Sequence, residues 1–189
     1  MDLDTALGLA PARLRPMLVL AAYAGLRAAE IASLTREQVL DRQAPAMLRV
    51  IGKGDRERLI PLSAPVLAEL RAHGLPSDGL VFTRRDGQPG PNTPGHVSAL
   101  CNRYLHGLGI THSLHKLRHA YGTAMYAASN DLRMVQEVMG HSSPNTTAGY
   151  VGYAHGVAHD AADRITAGAG LAAPARPLRV IGKDQAAAG

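Results

Sequence analysis

Residues 47–62 read "MLRVIGKGDRERLIPL", two short apolar runs on either side of "GKGD". Gly52 and Gly54 can take the backbone conformations that a tight turn requires and Asp55 supports it, so the pattern predicts a β-hairpin with Lys53 at its tip. The neighbouring segments carry a helical period instead. "PARLRPMLVLAAYAGLRAAEIASL" (11–34) predicts a helix, a break at Gly25, and a second short helix with Leu26, Ile31 and Leu34 facing inward. "SAPVLAELRAHG" (63–74) predicts a helix from Ser63 as N-cap to Gly74 as C-cap.

Beyond a Gly/Pro-rich loop, "VFTRRDGQPGPNTPG" (81–95), come three more helical stretches: "HVSALCNRYLHGLG", "SLHKLRHAYGTAMYAA" and "DLRMVQEVMG", the last closed by Gly140. Ser143-Pro144 marks one further helix start, with Tyr150 in its second turn. The expected fold class is therefore α+β, mainly α-helical, around one small β element. From residue 167 the text turns to "AGAGLAAPARPLRVIGKDQAAAG", so the expected organisation is one domain over 1–166 and a flexible tail over 167–189. "RVIGK" occurs at 49–53 and again at 179–183, too short an identity to be a structural repeat.

The 189 residues suffice for a buried core, which must be built from Ala, Leu and Val because there is no Trp and one Phe, Phe82. The formal charge is +5, and 17 of the 20 cationic side chains are Arg. The guanidinium fork matches phosphate oxygens bidentately, which suits a nucleic-acid partner; a GC-rich coding sequence would enrich Arg and Ala equally. A single cysteine, Cys101, excludes an internal disulfide and a Cys-based zinc centre, and its apolar surroundings predict a core position. The longest apolar run, "MLVLAAYAGL", is too short to cross a bilayer, and the N-terminus has no signal-peptide layout, so a cytoplasmic protein is expected.

Chemistry-bearing residues are scattered. In "HSLHKLRHAYG" (112–122), His112, His115, Arg118 and His119 are expected to form a cationic strip opposite a core face of Leu114, Leu117 and Tyr121. Zinc binding by these histidines is disfavoured because no acid or Cys completes a ligand set. Arg27 follows Gly25 at a helix start with Glu30 one turn on, a pairing that a solvated surface would also produce. Singly, each has an ordinary surface explanation.

In series, "GLRAAE", "GKGDRERLIPL", "HKLRH", "MGHSSPNTT" and Tyr150 resemble the motifs of the tyrosine recombinase (phage integrase) family, over residues 12 to 155. The resemblance implies that family's catalytic fold, with a β-hairpin or three-stranded sheet among helices. It implies catalytic roles for Arg27, Lys53, His115, Arg118, His141 and Tyr150, with Glu30 supporting the site from behind. Tyr150 would be the nucleophile and Tyr153 a packing residue. The phosphorane formed when a tyrosine attacks a DNA phosphodiester carries extra negative charge, which two arginines can hold. A lysine can protonate the leaving 5′-oxygen, and the 3′-phosphotyrosyl bond conserves the energy for rejoining. No metal, cofactor or small-molecule substrate is implied; the implied partners are double-stranded DNA and further copies of the chain, as a tetramer on DNA, with no membrane.

Lys116 stands where the family more often has Asp, and Met139 where it usually has Leu. Gly149 and Gly152 flank Tyr150 and should weaken a helix there by about 1 kcal/mol each relative to Ala. With Arg27 this near to Met1, the family's N-terminal DNA-clamping domain is expected to be absent. The alternatives are a truncated, non-catalytic DNA-binding relic or regulator, and a type IB topoisomerase-like enzyme. The apolar "PLRVI" (177–181) is expected either to pack on a neighbouring subunit or to stay free.

Overall fold

The computed structural model describes residues 2–52, 57–140 and 148–167, the stretch 148–155 by its backbone alone. Helix α1 (Leu3–Leu9) is capped by Asp2, whose Oδ1 accepts the Thr5 amide at 2.8 Å. Helix α2 (Arg15–Tyr23) is apolar all round and is buried from Pro16 to Tyr23, as a central helix must be. Its one charged residue, Arg15, donates to both Glu69 oxygens at 2.6–2.9 Å and to the Leu7 carbonyl at 2.7 Å. These bonds tie α1 and α2 to helix α4 (Ala64–His73).

After Gly25 the chain re-enters a helix as α3 (Ala28–Ala32), then a 3-10 turn at Arg36–Gln38. The sheet comprises β1 (Val39–Leu40), β2 (Met47–Ile51) and β3 (Glu57–Pro61), antiparallel in the order β1-β2-β3. Val50 faces Arg58 and Leu48 faces Ile60 in the register. The hairpin strands fall where the apolar runs predict; its tip, residues 53–56 with Lys53, lies outside the described residues. Helix α1 and strand β1 carry too few periodic residues to be read from sequence.

Helix α5 (Pro94–Gly107) begins two residues inside the expected loop, because Thr93 Oγ1 accepts the His96 amide at 3.1 Å and Pro94 suits a first helical turn. Ser63 stands at the start of α4 without capping it; its hydroxyl is buried and has no partner among the described residues. Gly74 closes α4 in the left-handed region, at φ 92°. Helices α6 (Leu114–Ser129) and α7 (Leu132–Met139) follow as expected, capped by Ser113 and Asp131. Helix α8 is described over Ala148–Ala167; the expected start at Ser143-Pro144 lies outside the described residues. The tail from 168 and "PLRVI" lie outside them too.

Helix α2 packs on α6 and α4, α3 on α5, and α8 on α6, α7 and β3. Cys101 is fully buried, and burial pushes its thiol up to about 12. Among the described residues no helix is long and apolar enough to cross a membrane.

Candidate active site

Glu30 is the hub. One turn into α3, it reaches back so that Oε2 accepts the Arg27 amide at 2.8 Å while Oε1 accepts Arg27 Nη1 at 2.9 Å. Oε2 also accepts Arg58 Nη2 from β3 at 2.8 Å, and Arg118 Nη1 from α6 stands 3.9 Å away. The carboxylate side chain is only 9% exposed. Burial alone would raise its pKa, but hydrogen bonds from Arg58 and from the Arg27 amide outweigh that and hold it below the ordinary glutamate value. This is no surface Arg–Glu pair of the kind that contributes little.

The same three arginines gather at the end of α7. Gly140, at φ 65°, stops that helix and leaves its last carbonyls without helical partners. Arg58 Nε donates to the Val138 carbonyl at 2.9 Å, Arg118 Nη2 to that of Met139, and Arg27 Nη2 to those of Met139 and Gly140 at 3.3 and 3.4 Å. Cations at a helix C-terminus meet its partial negative charge. Arg118 Nη1 donates to the Gly25 carbonyl, closing the ring of contacts. Three guanidiniums against one carboxylate leave two positive charges in excess, a standing attraction for an anion.

The expected cationic strip on α6 is corrected in one respect. His112, His115 and His119 are exposed, but Arg118 is buried, at 3% exposure. Four residues make slightly more than a full helical turn, so Arg118 shares the inward direction of Leu114, while His119 shares the outward direction of His115. Burial and the nearby Arg27 charge lower the Arg118 pKa to about 10, against the opposing pull of Glu30. Arg27, with 40% of its side chain exposed, is the guanidinium of the three most open to solvent. His115 Nε2 lies 2.8 Å from His119 Nε2, the rings edge to face.

Arg27, Glu30 and Arg118 are thus brought together, and His115 lies on the outward side of the same helix as Arg118. His141 and Lys53 lie outside the described residues, and Tyr150 is described by its backbone in α8 alone. Arg58 was missed by the sequence reading. Its signal was available: it shares strand parity with Ile60 and Leu62, both buried, so a charge stands on the inward face of β3.

Gly25 is the tightest joint. At φ 63°, an added Cβ would overlap Tyr121 Cδ1 and lie 2.8 Å from Cε1 of that buried ring. Gly25→Ala is expected to cost roughly 2–4 kcal/mol, overpacking and left-handed backbone strain combined, measured by urea unfolding. It should also perturb the Arg118 anchor, because the Gly25 carbonyl accepts one of its hydrogen bonds.

Glu30 predicts an acid limb. Its folded pKa lies below the ordinary value, so its contribution is complete above about pH 4.5 and is lost as pH falls through the folded pKa. Urea midpoints measured between neutral pH and pH 3 should fall less steeply in Glu30→Gln, which cannot take up that proton.

The Phage integrase family profile matches residues 3–155. Tyrosine recombinase XerD of Pseudomonas putida is 37% identical over 159 residues, covering 79% of this chain and 51% of that protein. Tyrosine recombinase XerC of Bradyrhizobium diazoefficiens is 35% identical over 136 residues, 68% of this chain and 42% of that one. The chain spans about half the length of these curated relatives. Among solved structures, the integrase from mycobacterium phage Brujita superposes with a TM-score of 0.71 at 33% identity, over 86% of this chain and 55% of that one. The XerH recombinase bound to difH gives a TM-score of 0.62 at 22% identity, covering 74% and 44%, a likeness of fold. From its helices around a three-stranded sheet to a matched span that includes every motif from Arg27 to Tyr150, this chain belongs to the phage integrase family of tyrosine recombinases.

Proposed function

We propose that this chain cleaves and rejoins double-stranded DNA at specific sites, through a 3′-phosphotyrosyl intermediate on Tyr150. The observation that supports it most is the cluster of Arg27, Arg58 and Arg118 on the buried Glu30, an anion site next to the helix that carries Tyr150. The Tyr150 oxygen attacks the scissile phosphorus, and its proton leaves with help from His115. Arg27 and Arg118 hold the non-bridging oxygens with charge-assisted hydrogen bonds, and His141 adds one more. Lys53 gives a proton to the departing 5′-oxygen. The P–O bond lost to the DNA is replaced by one to tyrosine, so a free 5′-hydroxyl reverses the step without an outside energy source.

Glu30 and Arg58 touch no phosphate in this scheme. They fix Arg27 and the end of α7, so the catalytic arginines keep their positions when the charge develops. The reaction needs no metal, the chain works as a tetramer on paired duplexes, and its place is the cytoplasm. Relatives of known structure support the DNA partner: XerH is seen on difH, and lambda integrase on a COC′ core site.

The test uses a nicked random-sequence duplex library, in which loss of a short fragment beyond the nick traps the covalent intermediate. A protein–DNA adduct that survives denaturant, formed in the presence of EDTA, is the expected result. A strict metal requirement would overturn the mechanism. No adduct from a chain with sound circular dichroism would favour a non-catalytic DNA-binding protein. Relaxation of supercoiled plasmid without site preference would favour a topoisomerase.

A further inference from the structure

We propose that His115 and His119 form a two-ligand site for a divalent transition metal ion, and that occupation of it inhibits DNA cleavage. The two residues are i and i+4 on α6, the helical spacing that lets two imidazoles grip one ion. Both are exposed, and their Nε2 atoms already face each other at 2.8 Å. Bonds of about 2.0–2.1 Å to an ion at angles between square and tetrahedral need nitrogens about 2.9–3.4 Å apart, a small opening of the present pair. At present one ring must donate and the other accept. When the donating ring carries its proton on Nδ1 instead, both Nε2 lone pairs are free, no net proton is lost, and a turn of the two rings aims them at one ion.

Of the cations beside the pair on α6, Arg118 is turned inward, with its terminal nitrogens on the Gly25 and Met139 carbonyls, while the exposed Lys116 adds a like charge that an ion must overcome. Among the described residues no set of three His, Cys, Asp or Glu side chains could hold a metal. The remaining coordination positions therefore fall to water, and the site is labile, suited to a reversible inhibitor rather than a structural ion. Imidazole pairs favour copper, nickel and zinc in the usual order of affinity. The inhibitory half rests on the reading of His115 as a participant in proton transfer: a metal on Nε2 occupies the lone pair that step uses.

Calorimetric titration of Ni²⁺ into the untagged chain reads the site without reference to DNA. Binding should weaken about tenfold or more in His119→Gln and in His115→Gln, because each leaves a single ligand where there was a chelate. It should not change in His106→Gln, an exposed histidine on α5 with Asn102 and Ile110, neither a metal ligand, four residues to either side. Circular dichroism checks that each variant folds, and the two α6 variants serve as substitutes for each other. Nickel affinity equal in wild type and both α6 variants overturns the site. In the trapped-adduct assay, Ni²⁺ should reduce wild-type adduct and EDTA should restore it, and the ratio with and without Ni²⁺ should move far less in His119→Gln. Metal bound at the pair with adduct unchanged overturns the inhibition. If the wild type forms no adduct with or without EDTA, the recombinase reading fails, while calorimetry still judges the site.

Discussion

Tyr150→Phe is expected to abolish the covalent DNA adduct, and Tyr153→Phe to retain it. The change removes one oxygen and almost no volume. What is lost is the only atom of that side chain able to bond phosphorus. Two tyrosines three residues apart on a helix differ by only about 60° in direction, so helical geometry alone does not separate them. The nine-residue interval from His141 and the "TTAGY" run leading into Tyr150 do. Denaturing gels of the trapped complex read the outcome directly. Adduct from Tyr150→Phe with none from Tyr153→Phe would move the nucleophile by one turn.

Glu30→Ala should be the most damaging change for stability, about 3–5 kcal/mol by urea unfolding, because it strips the counter-charge from a buried cluster. Arg58 and Arg118, with side chains 9% and 4% exposed, cannot turn to water as Arg27 can. The α3 start also loses the acceptor for the Arg27 amide. Glu30→Gln keeps an acceptor oxygen without the charge and should recover part of the loss. A cost below about 1 kcal/mol for Glu30→Ala would mean that the α7 carbonyls, not the carboxylate, hold the arginines in place. Adduct yield per folded molecule should fall as well, since Arg27 would lose the partner that fixes its direction.

The elements with strong local signals were legible. The hairpin followed from two apolar runs around "GKGD", α4 from Ser63 and its closing Gly74, and α6 and α7 from their helical period, with Gly140 closing α7. Helix α1 and the two-residue β1 were not, because a 7-residue helix shows barely two turns of period and a two-residue strand shows none. Ser63 illustrates a different failure: the right residue type at a helix start, with its hydroxyl buried and making no capping bond. Arg118 was placed on the correct helix and the wrong side of it. An arginine is expected in water, and only long-range partners, the carbonyls of Gly25 and Met139, make its burial tolerable.

The sequence by itself determined the fold class, the family and the motif residues, because hydropathy period, turn glycines and motif order are properties of neighbours along the chain. The tertiary structure decided what those residues do to one another. It brought Arg27, Glu30, Arg58 and Arg118, from three elements up to 91 positions apart in number, to the C-terminal end of α7. It turned Arg118 inward and left His115 and His119 facing each other outside. The physical reason is that a buried charge is stable only among partners that close around it in three dimensions, and their identity is not written in any local stretch.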